Sequence, residues 1–175
     1  MAGILIVYFS RTGVTETVAR ELARGLGADL EPLTPDRSYL GAGGFLRGLF
    51  ESLRRVSPPI ASGPNPQDYA LVVIGSPVWA GRLAAPVRTW LRRHRGHFRD
   101  LAAFCTSGGG GANAQVFQEI ETLSEAFLRH TLSLSQSEVQ SGRAHPRIDQ
   151  WRADLARMTA GRERIVTDLR ARGAH

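Results

Sequence analysis

The hydrophobic residues of this chain fall into two kinds of segment. Short and almost continuous apolar runs predict strands buried on both faces of a sheet. These runs cover residues 3–9 (GILIVYF), 28–33, 69–75 (YALVVIG) and 101–106 (LAAFCT), with a weaker fifth run at 131–135. Longer segments with apolar residues every three or four positions predict helices. These segments cover residues 14–26, 83–94, 116–128 and 149–172.

Strands that alternate with helices predict a parallel sheet covered by helices on both faces. Right-handed crossovers then produce a doubly wound α/β fold. A chain of 175 residues has the length of one domain, so we expect a single domain over residues 1–175. Doubly wound folds bind ligands beyond the carboxyl ends of their strands. The loops that follow the strands are therefore the candidate binding segments.

The loop after the first strand, SRTGVT, is rich in hydroxyl groups. Ser10, Thr12 and Thr15 supply three hydroxyls, and Gly13 allows a tight turn. The next helix points its free N–H groups and the positive end of its dipole into this loop. Such a loop suits a phosphate monoester. The alternative is an ordinary helix start, capped by Thr12 or Thr15.

Two further loops carry an aromatic residue and a glycine run. Residues 77–81 (PVWAG) place Trp79 on an exposed turn, to cover a planar ligand or to staple the turn onto the sheet edge. Residues 106–111 (TSGGGG) allow the backbone to approach a flat ligand, or form a flexible surface loop. The run is not a dinucleotide fingerprint, because Asn113 occupies the place of the last glycine.

The connection between the second and third strands, residues 34–68, is longer than a minimal crossover. Its middle has a helical apolar pattern, formed by Phe45, Leu46, Leu49, Phe50 and Leu53. We expect this segment to cover the ligand, to form a dimer surface or to pack on the sheet.

Composition narrows the function classes. The apolar fraction is 42%, the charged fraction 22% and the net charge +6, and arginine is the only basic residue besides histidine. The absence of lysine excludes a Walker A loop, a Schiff-base enzyme and a lysine general base. The arginines are spread along the chain, which argues against nucleic-acid binding. The basic cluster at 88–99 is interpreted as a solvated helix face, and the alternative is that it docks nucleic acid or an acidic partner.

The cysteine, the histidines and the lengths of the apolar runs bear on cellular location, membrane insertion and metal binding. Cys105 is the only cysteine, which fits a reducing cytoplasm, and we expect it in the core. The apolar N-terminal stretch is interpreted as the first strand rather than a signal peptide. No run approaches the roughly 18 apolar residues of a membrane span. His94 and His97 lack accompanying ligands, so we expect no metal site.

Taken in order, the three loops resemble those of the flavodoxin-like family, especially its single-domain bacterial members. SRTGVT (10–15) matches the family's phosphate-loop pattern S/T-x-T-G-x-T. GSPVWAGRLAAPVRTWL (75–91) is similar to its aromatic loop and following helix, and FCTSGGGG (104–111) to its third loop. The resemblance spans nearly the whole chain.

This resemblance implies a five-stranded parallel sheet with strand order 2-1-3-4-5 and a site for FMN. Ser10, Arg11, Thr12, Gly13, Val14 and Thr15 would hold the phosphate. Trp79 would lie on or beside the flavin ring, with Pro77, Val78, Ala80 and Gly81 shaping that side. The other side would be lined by Thr106, Ser107, Gly108, Gly109 and Gly110. The cofactor carries the redox chemistry, so no catalytic residue is expected.

Three functional hypotheses remain open at this point. The first is an FMN-dependent oxidoreductase that passes electrons from NAD(P)H to a quinone or another small acceptor. The second is a non-enzymatic electron carrier between redox partner proteins, and the third is a flavin-free interaction module. The basic charge departs from the acidic character of carrier flavodoxins and favours acidic partners or anionic molecules such as NAD(P)H. An oligomer is compatible with each hypothesis.

Overall fold

The computed structural model describes residues 3–34, 63–109 and 111–172, with side chains as far as Gly161. Gly110 and most of the long connection, including the predicted helix around residues 45–53, lie outside the described residues. The described elements begin with β1 (Ile4–Tyr8), α1 (Val14–Leu26), β2 (Asp29–Pro32), a short 3-10 helix (Pro66–Asp68), β3 (Leu71–Trp79) and β4 (Arg82–Leu83). They continue with α2 (Ala85–Arg93), β5 (Leu101–Ser107), α3 (Ala114–Ser124), β6 (Leu128–Ser135), α4 (Gln136–Gln140) and α5 (His145–Arg172).

In the described part of the chain, five parallel strands form the main sheet in the order β2-β1-β3-β5-β6. The two-residue strand β4 stands apart from this order and pairs antiparallel with the end of β3. Without β4, the order is the predicted 2-1-3-4-5. The doubly wound parallel sheet expected from the sequence is therefore confirmed.

The sheet separates two hydrophobic cores. Successive strand residues point to opposite faces, so Leu5 and Val7 enter one core while Ile6 and Tyr8 enter the other. Helices α2 and α3 cover the first core, and α1 and α5 cover the second. This two-sided burial is the reason why the strands are apolar at consecutive positions.

The third strand extends beyond the predicted end at Gly75. It continues to Trp79, turns back, and pairs with Leu83 as a short hairpin. Helix α2 therefore begins at Ala85 instead of residue 83. Most of the segment predicted as an aromatic loop is strand, because the hairpin provides backbone partners that the apolar pattern did not reveal.

The third helix is shorter than predicted and the last strand is longer. Helix α3 ends at Ser124, because Glu125 takes a left-handed conformation with φ of 55°. Leu128 then begins β6, which was predicted to begin only at residue 131. The apolar residues between 123 and 128 fit a helix or a strand, so their period alone could not locate the boundary.

Two features near the C-terminal end also differ from the prediction. The short helix α4 was not predicted; Ser135 and Glu138 form a reciprocal capping box at its start. Helix α5 begins at His145, one turn earlier than expected, and continues through Gly161 without a break. None of the helices that the structure describes is long and apolar enough to cross a membrane.

Gly75 is required where the central strand passes its neighbours. A Cβ atom at this position would lie 2.4 Å from Cζ of Phe104 and 2.9 Å from Cβ of Tyr8. Both neighbours are buried core residues and have little room to move. The absence of a side chain at Gly75 therefore lets β1, β3 and β5 pack closely.

We predict that Gly75→Ala destabilises the fold by about 1–3 kcal/mol, because the added methyl group overfills the core. Gly161→Ala is the matched control: Gly161 is an exposed helical position with open space around it. That change should be neutral or stabilise by about 0.5–1 kcal/mol. Urea unfolding of both variants measures the difference, and equal stability of the two would contradict the crowding at Gly75.

Candidate functional site

The ends of β1, β3 and β5 meet at a cleft of about 260 Å³. Eleven of the sixteen residues selected from the sequence line it: Arg11, Thr12, Val14, Thr15, Pro77, Val78, Trp79, Ala80, Thr106, Ser107 and Gly108. Ser10, Gly13, Gly81 and Gly109 do not line the cleft, and Gly110 lies outside the described residues. The three separated loops are thus brought to one place.

Gly13 turns the chain from β1 into α1. Its φ of 87° lies in the left-handed region, where glycine is strongly favoured. The Ser10 hydroxyl accepts a hydrogen bond from the Gly13 N–H at 3.1 Å, which closes the turn. No described side chain caps the start of α1. The first-turn N–H groups therefore create a positive end suited to an anion, rather than the ordinary capped start that was the alternative.

Thr15 joins the first loop to the third. Its hydroxyl lies 2.8 Å from the hydroxyl of Thr106, and both side chains are buried. Each hydroxyl satisfies the other in a place that water does not reach. The Thr15 hydroxyl, predicted to face a phosphate, therefore has a structural partner, while Thr12 is the exposed hydroxyl of the loop.

The β3–β4 hairpin forms the aromatic part of the cleft. Its turn consists of Ala80 and Gly81, both with positive φ, at 48° and 72°. Two consecutive left-handed residues match the twist of a two-residue hairpin. The strands on either side pair Val78 with Leu83, which holds the turn in place.

Trp79 is buried rather than exposed, so this part of the sequence prediction was wrong. Only 8% of its surface is accessible, and its ring meets Phe9 edge to face at a centroid distance of 5.6 Å. The residue nevertheless lines the cleft. Trp79 thus secures the hairpin to the core and offers its remaining surface to a ligand.

A buried ion pair supports the hairpin from below. Arg88 is fully buried, and its Nε lies 3.0 Å from a carboxylate oxygen of Glu119. The Arg88 guanidinium also donates to the carbonyl of Leu83 at 3.1 Å. The sequence predicts a solvated basic face for Arg88, and for this residue the prediction was wrong. Its position one helical turn before Leu91 was the available signal, since that is the apolar side of α2.

Ser107 and Gln136 add polar groups to the cleft. The sequence patterns identified Ser107 and missed Gln136. The Ser107 Oγ is buried in the cleft wall and has no hydrogen-bond partner in the described part of the chain. An unpaired buried hydroxyl is costly, and a water molecule or a ligand in the cleft can supply its partner. Gln136 lines the same cleft from the first residue of α4. Its signal was its position directly after the last strand.

The described lining of the cleft contains few titratable side chains. Among the described lining residues, Arg11 is the only one with a charged side chain. Across residues 3–34, 63–109 and 111–172, no three histidine, cysteine or acidic side chains are grouped to hold a metal. Cys105 is buried as predicted, and burial strongly raises the pKa of its thiol.

The fold defines a doubly wound α/β protein with its binding site at the carboxyl ends of the strands. Within that class the chain belongs to the flavodoxin family, because the family model described as Flavodoxin matches residues 3–136. The resemblance inferred from the three loops is thereby confirmed.

Solved structures share this fold along almost their whole length. A candidate flavoprotein from Bacteroides eggerthii is 25% identical, with a TM-score of 0.66, over 81% of this chain and 95% of that one. A flavoprotein from Lactobacillus acidophilus, in complex with FMN, is 22% identical, with a TM-score of 0.62, over 81% and 98%. A candidate flavoprotein from Bacteroides uniformis is 20% identical, with a TM-score of 0.68, over 80% and 96%.

The Thr15–Thr106 contact predicts a non-additive mutant cycle. Thr15→Val or Thr106→Val alone should destabilise by about 1–3 kcal/mol, because each leaves a buried hydroxyl unpaired. The double variant should lose less than the sum of the two, since both polar groups are gone. Urea unfolding of the four proteins measures the coupling, and additive losses would show that the two hydroxyls do not depend on each other.

Proposed function

We propose that this protein binds FMN in the cleft and uses it to pass electrons from NAD(P)H to a quinone or another small acceptor. Membership of the flavodoxin family supports the cofactor, and a protein of the same fold is known in complex with FMN. The observation that carries the proposal is the cleft itself. An uncapped helix start, an indole and an unpaired buried hydroxyl converge there.

The turn at the start of α1 is the proposed phosphate site. The Thr12 hydroxyl and the first-turn N–H groups supply donors, and the Arg11 side chain lines the same cleft. Ser10 and Gly13 shape the turn from behind instead of facing the ligand. Val14 and Thr15 complete the wall, with Thr15 held by Thr106.

The remaining walls suit a flat ring with a polar edge. Pro77, Val78, Trp79 and Ala80 offer apolar surface, while Gly81 completes the hairpin turn. Thr106, Ser107 and Gly108 contribute polar groups and exposed backbone, and we include Gly109 and Gly110 as the continuation of that loop. FMN fits this donor set because it has a phosphate at one end and a hydrogen-bonding ring at the other.

FMN, when bound, supplies two-electron chemistry: NAD(P)H, a proton and a quinone become NAD(P)⁺ and a quinol. The described residues of the cleft contain no carboxylate, histidine or thiol that could exchange a proton with the substrates. The chain's contribution is to bind the phosphate, to orient the ring and to exclude water from the ring face at Trp79.

The first experiment is a visible spectrum of the purified protein after incubation with FMN and desalting. We expect a two-banded flavin spectrum and equimolar FMN. Anaerobic NADPH or NADH should then bleach the spectrum, and a quinone should restore it. A colourless protein would refute FMN binding. Bleaching that requires an added reductase would refute direct reduction and assign the protein as an electron carrier.

A single hydroxyl tests the phosphate site. Thr12→Val should weaken FMN binding by about tenfold while leaving riboflavin unchanged, because only FMN has the phosphate and a bond to a charged group is lost. Thr17→Val is the control. The Thr17 hydroxyl lies in the first turn of α1, donates to the Gly13 carbonyl and does not line the cleft. Fluorescence titration measures both ligands. Equal weakening of FMN and riboflavin would contradict the assignment.

A further inference from the structure

A second cleft, of about 230 Å³, borders the same β3–β4 turn as the first cleft. Ala80 lines the first cleft, whereas Gly81 and Arg82 line the second. The other lining residues come from α2 and α3: Arg92, Gln115, Gln118, Glu119, Thr122 and Leu123. The proposed FMN site leaves this cleft without a role.

Helix α3 presents a polar face to the second cleft. The polar lining positions recur every three or four residues, as one helix face does: Gln115, Gln118, Glu119 and Thr122. The apolar face of the same helix is buried in the core through Val116 and Ile120. The side of α3 that faces the cleft therefore offers the amides of Gln115 and Gln118 to a ligand, while the Thr122 hydroxyl donates to the Gln118 carbonyl at 2.8 Å.

The cleft has a positive charge although Glu119 lines it. The Glu119 carboxylate accepts from Nε of Arg88 at 3.0 Å and from the Leu83 N–H at 3.4 Å. Arg88 is fully buried, so it balances this carboxylate within the protein. Arg82 and Arg92 also line the cleft, and each brings a positive charge to it.

We propose that the second cleft binds the phosphate monoester of a nucleotide electron donor, an inference that rests on the proposed function. A phosphate monoester has close to two negative charges at neutral pH, which matches two guanidinium groups. Guanidinium groups bind phosphate through paired hydrogen bonds. The concave shape favours a small molecule, because a carboxylate on a protein partner has one charge and meets a flatter surface.

The position of the two clefts gives the donor its orientation. Ala80 and Gly81 are consecutive, so the same two-residue turn borders both clefts. A dinucleotide such as NADPH has its 2′-phosphate and its nicotinamide ring at opposite ends. With the phosphate in the second cleft, the nicotinamide ring can extend over the turn towards the flavin proposed for the first. The hairpin thus serves both sites.

A redox-silent fragment tests this site separately from FMN chemistry. Adenosine 2′,5′-bisphosphate is titrated calorimetrically into the full chain, with adenosine 5′-monophosphate and inorganic phosphate as comparison ligands. We expect the bisphosphate to bind most tightly, and Arg82→Gln or Arg92→Gln to weaken it about tenfold each. Arg93→Gln removes the same charge from the next position of α2, which does not line the cleft, and should have no effect.

The outcomes separate this inference from the proposed function. FMN absorbance of the Arg82 and Arg92 variants should equal that of the unsubstituted protein, and bisphosphate binding needs no flavin. Loss of FMN binding with intact bisphosphate binding would refute only the proposed function. Failure to bind the bisphosphate, equal weakening by Arg93→Gln, or equally tight binding of inorganic phosphate would each overturn the second site. Binding of an acidic peptide in place of the bisphosphate would overturn it as well.

Discussion

The row of residues that crosses the sheet just below the cleft is the constraint on which the site depends. Tyr8 pairs with Gly75, Gly75 with Phe104, and Phe104 with Leu132. Gly75 has no side chain, and the Phe104 ring and the Tyr8 side chain occupy that space. This packing fixes the register of β1, β3 and β5, so that the residues following Tyr8, Gly75 and Phe104 reach the same edge of the sheet. The loops of the cleft follow within a few residues, so their common location is a consequence of the register.

The cleft is built from contacts that make its loops depend on one another. The buried Thr15–Thr106 hydroxyl pair joins the start of α1 to β5. Trp79 fixes the hairpin against Phe9. A site held in this way needs little rearrangement when a ligand arrives, and preorganisation of that kind reduces the entropic cost of binding. It also suits a cofactor whose ring environment must stay constant for its redox chemistry.

The buried Arg88–Glu119 pair links the hairpin to both clefts. Burying two charges is costly unless they are paired and hydrogen-bonded, and here the Leu83 backbone provides further partners. The pair therefore anchors β4 from inside the protein. Within the pair, Arg88 neutralises the Glu119 carboxylate, which would otherwise repel an anion in the second cleft. One structural ion pair thus bears on the aromatic wall of the first cleft and on the charge of the second.

The sequence by itself determined the parallel sheet and the three loops that follow its strands, while the strand order came from the resemblance to the flavodoxin-like family. Consecutive apolar residues identify strands buried on both faces, and Gly13 in SRTGVT marks the tight turn into α1, because both signals are local. Only the tertiary structure decided that Trp79 is buried, that Arg88 lies inside, that Thr15 has a partner in Thr106, and that Gln136 joins the cleft. Each of these depends on a neighbour distant in the chain. A residue's spacing shows which face it occupies, but the partner across the sheet decides whether that face is filled, paired or open.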